Sequence, residues 1–580
     1  MRKAVALALL LAGVLYLTTC AGILLFTRGG SWHGGPFTIK IHHLWVPIEL
    51  AVLLAALAVT VLIGPFRKGF REEWKRALGR FRAGEGPSFT IFKGKRIIVL
   101  LFLLMALGVR AYKLDVLPLE FHKARQYNNA LIARSLYCGL CPPGMEPWKK
   151  NFFRVNEFFI EPPLMELLAV GGYFVLGGEH LALPGLLSAL LWLAGSWFLY
   201  RSIERLAARA GALAGTAYYL FLPFAIRSSR CFMPDPLMTV LVIIFIYYLT
   251  MYLESGSRRS LLLATLWASL AVFAKCVCIF TVSAAFAAVL LFRERKALAD
   301  LVKPLVLFTA GVTLPLVLYG TVFLGESAKG KFFGRFFPAL IAKPSFYIQW
   351  FQMLELVVGI PFIAAGLLAL FIAGRGPRAL LGGLIGGYGL TCLFFSYHSI
   401  THDYYHMLAI PLIALALGQV TGFLFTYLSE LLAPRTLHTL AAALLIVLIG
   451  AGTLEGASSA SRAEGARRVA MYERIGEMVN HSRNTIILDS SYGLPLKFHG
   501  WIEGTAWPTS QDFVYMALEK TAPASVKDFL FMLIEREHAD YFIITSPGEL
   551  EKQKGLRELI EKTCSAETIT DSFLIYRIRR

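Results

Sequence analysis

The chain has 580 residues, of which 56% are hydrophobic and 16% are charged. Soluble domains carry roughly a quarter charged residues, and the apolar residues here form long runs such as 4–26, 44–63 and 305–324. Each run matches the roughly 20 residues that a helix needs to cross a bilayer. The net charge of +19 does not indicate nucleic-acid binding, because lysine and arginine gather in the short loops between the runs.

The apolar runs predict thirteen transmembrane helices. They are residues 4–27, 44–64, 97–112, 182–200, 210–224, 236–254, 260–275, 277–293, 305–324, 352–374, 379–396, 407–427 and 437–454. The loop 65–96 is rich in lysine and arginine, so the positive-inside rule predicts that it is cytoplasmic. The N-terminus is then also cytoplasmic, and segment 113–161 lies outside.

Residues 162–178 are apolar but short, and they include Pro162, Pro163 and Glu166. We interpret them as an interfacial or re-entrant segment, since this choice leaves the later arginine-rich loops in the cytoplasm. The predicted external parts are 113–181, 225–235, 325–351, 397–406 and 455–580. The sequence therefore predicts a multi-pass membrane protein with an external C-terminal domain.

The predicted fold class is an all-α polytopic membrane bundle of about 13 spans with a small soluble α/β domain at the C-terminus. Residues 1–96 hold an N-terminal pair of spans, 97–454 the main membrane domain and 455–580 the α/β domain. In this last domain, strands alternate with helices. The strands are predicted at 485–488, 541–544 and 573–578, and the helices at 466–480, 525–537 and 549–562.

The first external loop contains several side chains with catalytic potential, followed by a predicted surface helix at 124–137. Glu120, His122, Arg125 and Gln126 lie within seven residues. A carboxylate can take a proton from an attacking hydroxyl, and an arginine can balance the charge on a departing phosphate. The alternative is a basic interfacial helix that holds lipid headgroups.

Two further charged sites lie at predicted external ends of spans. Arg230 and Asp235 precede one span, and Lys275 separates two others. Charges at a membrane edge are costly, so they tend to be paired or functional. The alternatives are a structural pair between Arg230 and Asp235, and a Lys275 side chain that extends to the membrane surface.

Within the external turn 397–406, the segment 398–406 contains three histidines, an acid and two tyrosines. His402 and His406 have a spacing that can bind a metal, but this pattern alone is weakly specific. Hydrogen bonding of His402, Tyr404 and Tyr405 to a sugar or phosphate is the preferred interpretation. We predict no metal ligands in this chain.

The order of these motifs resembles the GT-C glycosyltransferases. The matching features are the surface helix after the first loop, Glu161-Pro162-Pro163-Leu164, the Arg230–Asp235 segment, Lys275 and the segment 402–411 (HDYYHMLAIP). The pattern is similar to the family 39, protein mannosyltransferase-like and aminoarabinose transferase-like proteins, in a subgroup with an FHxxRQ-type motif in the first loop. The resemblance covers most of residues 97–580.

This resemblance implies a glycosyltransferase that moves a sugar from a polyprenyl-phosphate donor to an acceptor on the outer face of the membrane. The acidic pair usual in the family is replaced here by Arg125 and Gln126. Glu120 is therefore our first choice for the catalytic base, with Asp235 and Glu161 as alternatives.

The resemblance also implies roles for the other residues. Arg125, Arg230 and Lys275 would hold the donor phosphate, while His122, Gln126, Tyr404 and Tyr405 would position the sugar or phosphate. The expected partners are the lipid-linked sugar, a glycan, lipid or protein acceptor, and membrane lipid. A lipid-phosphate leaving group is compatible with a divalent metal but does not require one. The alternative functions are a lipid-linked sugar transporter or flippase, and an inactive binding subunit.

Overall fold

A computed structural model describes most of the chain. The described residues are 2–27, 30–34, 37–41, 44–64, 69–85, 95–115, 117–119, 121–140, 146–150, 152, 161–207, 209–293, 298–322, 335–457 and 462–579. The first helices are α1 (Arg2–Thr27), α2 (Trp45–Ile63), α3 (Phe70–Arg82), α4 (Lys95–Ala111), α5 (Lys123–Gly139), α6 (Pro147–Lys150) and α7 (Leu164–Leu176). A β-hairpin, β1 (Gly30–Gly34) and β2 (Phe37–Ile41), lies between α1 and α2.

The central helices form the body of the bundle. They are α8 (Ala182–Leu206), α9 (Arg209–Phe221), α10 (Pro223–Ser228), α11 (Pro234–Ser255), α12 (Arg258–Ala274), α13 (Ile279–Arg293) and α14 (Leu298–Val322). They are followed by α15 (Pro338–Ile341), α16 (Pro344–Val358), α17 (Ile360–Ile372), α18 (Arg375–Phe394), α19 (Ser396–Thr401), α20 (Ala409–Leu428) and α21 (Pro434–Ala457). Short 3₁₀ helices cover Leu117–Leu119, Cys276–Cys278 and Asp403–His406.

Within the described residues, seven helices are long and apolar enough to cross a membrane, and a bent pair can supply an eighth span. The chain is therefore a multi-pass membrane protein, and the predicted class, a helical bundle with a small C-terminal sheet, is confirmed. Other predicted spans coincide with shorter helices such as α9 and α12, so the count of thirteen stays a prediction. The segment predicted to be interfacial forms the short helix α7.

Small residues let two central helices pack in backbone contact. A Cβ atom placed on Gly211 of α9 would lie 2.1 Å from the carbonyl oxygen of Gly418 in α20. One placed on Gly215 would lie 2.5 Å from the carbonyl oxygen of Ala414. Glycine at these positions permits the close approach of helices that is common in membrane bundles.

The segment 352–374 was predicted to be one span, but it is not one continuous helix. Helices α16 and α17 meet at an angle of 98°. Gly359 lies between them with a φ of +86°, a conformation that glycine adopts without steric cost. A proline at the start of α17 (Pro361) fits there because the first residues of a helix have no amide partner.

A buried carboxylate from the N-terminal pair of helices stabilises this bend. Glu49 of α2 accepts a 2.8 Å hydrogen bond from the backbone amide of Ile360, the first residue of α17. In a similar way, Glu455 of α21 accepts a 2.6 Å hydrogen bond from the amide of Leu44, just before α2. Both contacts supply acceptors for amides that helix starts leave unpaired. They attach the N-terminal pair to the rest of the bundle.

Replacing Glu49 with leucine should destabilise the protein by about 1–3 kcal/mol, because the buried Ile360 amide loses its acceptor. Glu49→Gln keeps an oxygen at that place and should retain most of the stability. Thermal unfolding of the detergent-purified protein measures both. Equal melting temperatures for Glu49→Leu and wild type would contradict the proposed cap.

The C-terminal part contains a mixed five-stranded sheet. Its helices are α22 (Arg462–Met478), α23 (Leu494–Gly500), α24 (Ser510–Leu518), α25 (Val526–Glu537), α26 (Pro547–Lys552) and α27 (Leu556–Thr563). Its strands are β3 (Thr485–Leu488), β4 (Gly504–Ala506), β5 (Tyr541–Ile544), β6 (Cys564–Ile569) and β7 (Leu574–Ile578), in the order β4-β3-β5-β7-β6. Strands β4, β3 and β5 are parallel, and β7 and β6 are antiparallel.

The three predicted strands of this domain are present, but two others were not predicted. Strand β4 has only three residues, and β6 is largely exposed, so neither has a clear apolar pattern. The helix predicted at 549–562 is wrong as a single element. It is divided into α26 and α27, because Gly555 has a φ of +80° immediately before α27.

The C-terminal domain is held on the bundle by a contact that we call the buried junction, formed by α22 and α23 against α5. The side chain of Arg134 donates a 2.6 Å hydrogen bond to the carbonyl oxygen of Phe498 and pairs with Glu179 at 2.9 Å. Its guanidinium also lies 3.5 Å from the Phe498 ring centre. Beside it, the hydroxyl of Tyr127 is 2.8 Å from Nε2 of His499. One hydrophobic core continues through this junction.

Candidate functional site

The centre of the candidate site is a buried ion pair at the end of the bundle that carries the C-terminal domain. Lys275 follows the last residue of α12, and Asp235 lies in the first turn of α11. The Lys275 ammonium is 2.7 Å and 2.9 Å from the two carboxylate oxygens of Asp235. Both side chains are at most 3% exposed. Lys275 therefore does not extend to the membrane surface, and both oxygens of Asp235 are engaged.

A second ion pair adjoins the first through a shared carboxylate. Arg125, in the first turn of α5, lies 2.6 Å from Oε1 of Glu161. The same oxygen is 3.6 Å from the Lys275 ammonium. Burial acts to raise the pKa of the Glu161 carboxyl, but the nearby charges of Arg125 and Lys275 hold that pKa below its usual value. One ionised carboxylate thus serves two cations.

A third contact brings the first loop to the 3₁₀ helix at Asp403–His406. His122 precedes α5 with a φ of +48°, an uncommon conformation for a residue other than glycine. Its Nε2 lies 3.0 Å from Oδ1 of Asp403, which is an ion-pair distance, although the ring is not aligned for a hydrogen bond. The imidazole ring also contacts Tyr404 edge-on.

Two tyrosine rings and an additional arginine complete the charged group. The Lys275 ammonium lies 5.0 Å from the ring centre of Tyr404 and 5.2 Å from that of Tyr405, within range of cation–π attraction. Arg335 donates a 3.3 Å hydrogen bond to the Tyr405 hydroxyl. Sequence reasoning missed Arg335, and its only signal was its place in the predicted external loop 325–351.

Not every predicted binding residue reaches this group. The side-chain amide of Gln126 donates to the carbonyl oxygen of Phe121 and accepts from the amide of Phe232. Arg230 donates to the carbonyl oxygen of Val109 at 3.0 Å. These bonds tie loops to helices. The alternative of an Arg230–Asp235 pair is replaced by the observed Lys275–Asp235 pair.

The two histidines that suggested a metal lie in different surroundings. Nδ1 of His402 is hydrogen-bonded to the hydroxyl of the neighbouring Thr401 at 2.7 Å. The His402 ring also contacts Tyr404 and Tyr405. His406 is buried between the hydroxyl of Tyr388 and the carbonyl oxygen of Ser399. Among the residues that the structure describes, no three His, Cys, Asp or Glu side chains group closely enough to hold a metal ion. The described residues thus do not fit a metal site.

Glu120, the first choice for the catalytic base, lies outside the described residues. The structure therefore brings together His122, Arg125, Lys275, Tyr404 and Tyr405 from the predicted set, together with Asp235. They come from the first loop, two helix ends and the 3₁₀ helix at Asp403–His406. Glu161, Arg335 and Asp403 join them.

The fold is similar to that of ArnT from Cupriavidus metallidurans. The structure titled as bound to undecaprenyl phosphate matches with a TM-score of 0.55 and 14% identity, covering 83% of this chain and 97% of ArnT. The apo structure gives 0.54 and 14%, with coverages of 84% and 98%. The archaeal oligosaccharyltransferase AglB from Archaeoglobus fulgidus gives 0.49 and 12%, with coverages of 84% and 74%.

At the sequence level, residues 161–319 match the family described as dolichyl-phosphate-mannose-protein mannosyltransferase. No curated protein sequence matches this chain significantly. The chain has the GT-C fold. The predicted resemblance to the GT-C superfamily is therefore confirmed. In this GT-C bundle, the matched segment begins at Glu161 and includes Asp235 and Lys275.

The buried ion pair of this GT-C bundle should be strongly coupled. Lys275→Met and Asp235→Asn should each lower the free energy of unfolding by about 3–5 kcal/mol, because each leaves an uncompensated or poorly paired buried group. The double variant should lose less than the sum, since no charge then stays behind.

Thermal unfolding of the four proteins in detergent measures this coupling. The matched control is Arg205→Met, which breaks a 2.6 Å pair with Glu254 whose side chains are both about one-third exposed. That exposed pair should contribute less than about 1 kcal/mol. Additive losses for Lys275 and Asp235 would show that the two side chains are not coupled.

Proposed function

We propose that this protein is a glycosyltransferase that moves a sugar from a polyprenyl-phosphate donor to an acceptor on the outer face of a bacterial plasma membrane. The N-terminus is then cytoplasmic, and the C-terminal domain is external. The GT-C fold supports this proposal, as does the match of residues 161–319 to lipid-phosphate-dependent mannosyltransferases.

The observation that carries the proposal is the sharing of Glu161 by two cations. Arg125 and Lys275 converge on one carboxylate at the end of an apolar bundle. The phosphodiester of a lipid-linked sugar carries one negative charge and two free oxygens, as a carboxylate does, and the phosphate monoester that transfer releases carries more of both. Arginine binds either group well through two parallel hydrogen bonds. A lipid phosphate can therefore compete with Glu161 for these cations, while its apolar tail stays in the membrane.

In the proposed reaction, an acceptor oxygen attacks the anomeric carbon, and the bond between that carbon and the phosphate oxygen breaks. Negative charge then develops on the departing lipid phosphate. Arg125, Lys275 and Arg335 are placed to stabilise that charge. Asp235 engages Lys275 with both oxygens, so we assign it a positioning task rather than proton transfer.

The proton of the acceptor hydroxyl must pass to a base. Glu120 remains our first choice, because the GT-C resemblance puts the catalytic carboxylate in this loop. Its neighbour His122 lies beside Asp403, and a carboxylate in that place can hold an imidazole for proton transfer. Glu161 is a weaker candidate, since two cations keep its pKa low and reduce its basicity.

The alternative functions are less well supported by the site. A transporter is expected to bind its substrate near the middle of the membrane, at the interface of internal repeats. The charged residues described here lie at helix ends on one side of the bundle. An inactive binding subunit would keep the phosphate site and lack the base. A transfer assay distinguishes such a subunit from an active glycosyltransferase.

Binding of undecaprenyl phosphate should respond in opposite directions to two substitutions. Glu161→Gln removes the competing charge and should tighten binding by about tenfold, which corresponds to about 1.4 kcal/mol. Arg125→Met removes a phosphate ligand and should weaken binding by at least tenfold. Titration of the lipid into protein in nanodiscs measures both affinities.

The control for this titration is Lys343→Met, which removes an exposed lysine at the start of α16 on the same side of the bundle. It should bind as wild type does. Weaker binding by Glu161→Gln would mean that the carboxylate does not occupy the place of the phosphate. Loss of binding in the control would indicate general attraction between lipid and protein charge.

Glu120→Gln should abolish sugar transfer but retain binding of undecaprenyl phosphate, because the amide cannot accept the proton. Radiolabelled polyprenyl-phosphate sugars and membrane extracts as acceptor source provide the assay. Unchanged transfer would reject Glu120 as the base, and Asp235→Asn and Glu161→Gln would be tested next. Absence of transfer by the wild type from every donor would favour the binding subunit.

A further inference from the structure

The C-terminal domain meets the bundle at a second place, well separated in sequence from the buried junction. Tyr515 of α24 contacts three rings of the bundle. Its ring centre lies 4.8 Å from that of Tyr397, 6.0 Å from that of Phe337 and 6.1 Å from that of His398. We name these four residues the aromatic rim.

The aromatic rim differs physically from the buried junction. All four of its side chains are partly exposed, and α24 has no buried residue. In the buried junction, by contrast, Arg134 and Phe498 are both buried and hydrogen-bonded. Exposed aromatic rings in a cluster often mark a binding surface.

The rim is continuous with the candidate site. The ring of His398 lies 5.2 Å from that of His402 and 5.1 Å from that of Tyr405. Tyr405 in turn accepts the hydrogen bond from Arg335 and lies below the Lys275 ammonium. A molecule that rests on the rim is therefore close to the place proposed for the donor phosphate.

The chemistry of the rim favours one class of ligand. Tyrosine offers an apolar ring face together with a hydroxyl, and a carboxylate lies nearby. Burial, and after it the charge of Asp512, raises the pKa of the Tyr397 hydroxyl. Asp512 also accepts a 3.0 Å hydrogen bond from Tyr492, whose side chain is exposed. Ring faces match the C–H face of a pyranose, and hydroxyls and carboxylates match its hydroxyl groups.

Other ligand classes fit less well. A lipid tail would require aliphatic side chains, whereas three of the four rings of the rim carry polar groups. A phosphate would require free cations, and the carboxylate of Asp512 repels anions. A saccharide combines an apolar face with neutral hydroxyl groups and meets both conditions.

We propose that the aromatic rim binds the saccharide part of a glycan acceptor on the surface that Tyr515 of the C-terminal domain and Tyr397 of the bundle form together. This inference rests on the proposed glycosyltransferase function and identifies the acceptor of the same site. The C-terminal domain then contributes directly to acceptor choice.

The test is binding of neutral tetrasaccharides, such as maltotetraose, mannotetraose and chitotetraose, to the full-length protein in nanodiscs. Saturation-transfer NMR and calorimetric titration measure the affinity. At least one tetrasaccharide should bind the wild type with a Kd of a few millimolar or lower. Tyr397→Ala and Tyr515→Ala should each weaken that binding at least fivefold.

The matched control is Phe531→Ala, which removes an exposed ring from α25 of the same domain and should bind as wild type does. Tyr515→Phe keeps the ring and should retain most of the affinity, which separates stacking from general damage to the domain. Because Tyr397 and Tyr515 belong to different parts of the chain, misfolding of one variant leaves the other as a test.

The proposal is overturned if no tetrasaccharide binds the wild type or if the two alanine variants bind as tightly as wild type. Binding of undecaprenyl phosphate to the same samples separates the two hypotheses. Retained lipid binding without saccharide binding would reject the rim alone. Saccharide binding that depends on the rim, without lipid binding sensitive to Arg125→Met, would reject the proposed donor and leave a saccharide-binding membrane protein.

Discussion

Lys275 and Asp235 are almost completely removed from solvent, and this pair constrains the whole site. A single charge in an apolar bundle is costly, so each of the two helix ends is held in place by the other. Asp235 lies at the start of α11, where the helix dipole also favours a negative charge. The segment before α7 must then bring Glu161 close to the pair, and α5 must bring Arg125 to Glu161.

This chain of charges explains how a polar site can exist at the edge of an apolar bundle. Lys275 and Arg125 each have an acidic partner, and tyrosine rings provide additional electrostatic contact. The two carboxylates differ, however, in how firmly they hold their cations. Asp235 holds Lys275 with two oxygens, whereas Glu161 divides one oxygen between two cations and is partly exposed. Under the proposed function, Glu161 is therefore the partner that a lipid phosphate would replace at the lowest cost.

Much of the fold follows from the sequence, because apolar runs predict membrane helices and alternating patterns predict strands. The 98° bend at Gly359 was not predictable, since an apolar run does not report the φ of one glycine or the Glu49 carboxylate that caps the next helix. The candidate site residues were chosen because their motifs all lie on the predicted external face of the membrane. The hydrogen bond between Gln126 and the Phe232 amide was not predictable, because the two residues are distant in sequence. Arg335 lacked a motif and became visible only through its contact with Tyr405.

The proposed acceptor site and the charged site are connected through the position of the C-terminal domain. Arg134 of α5 anchors the domain through Phe498 and Glu179, and Arg125 of the same helix pairs with Glu161. Helix α5 therefore positions both the C-terminal domain, through Arg134, and Arg125, which is proposed to bind the donor phosphate. If the aromatic rim binds a saccharide, its distance from the donor phosphate is fixed by α5. A substitution that shifts α5 should then affect donor and acceptor binding together, whereas a substitution in α24 should affect the acceptor alone.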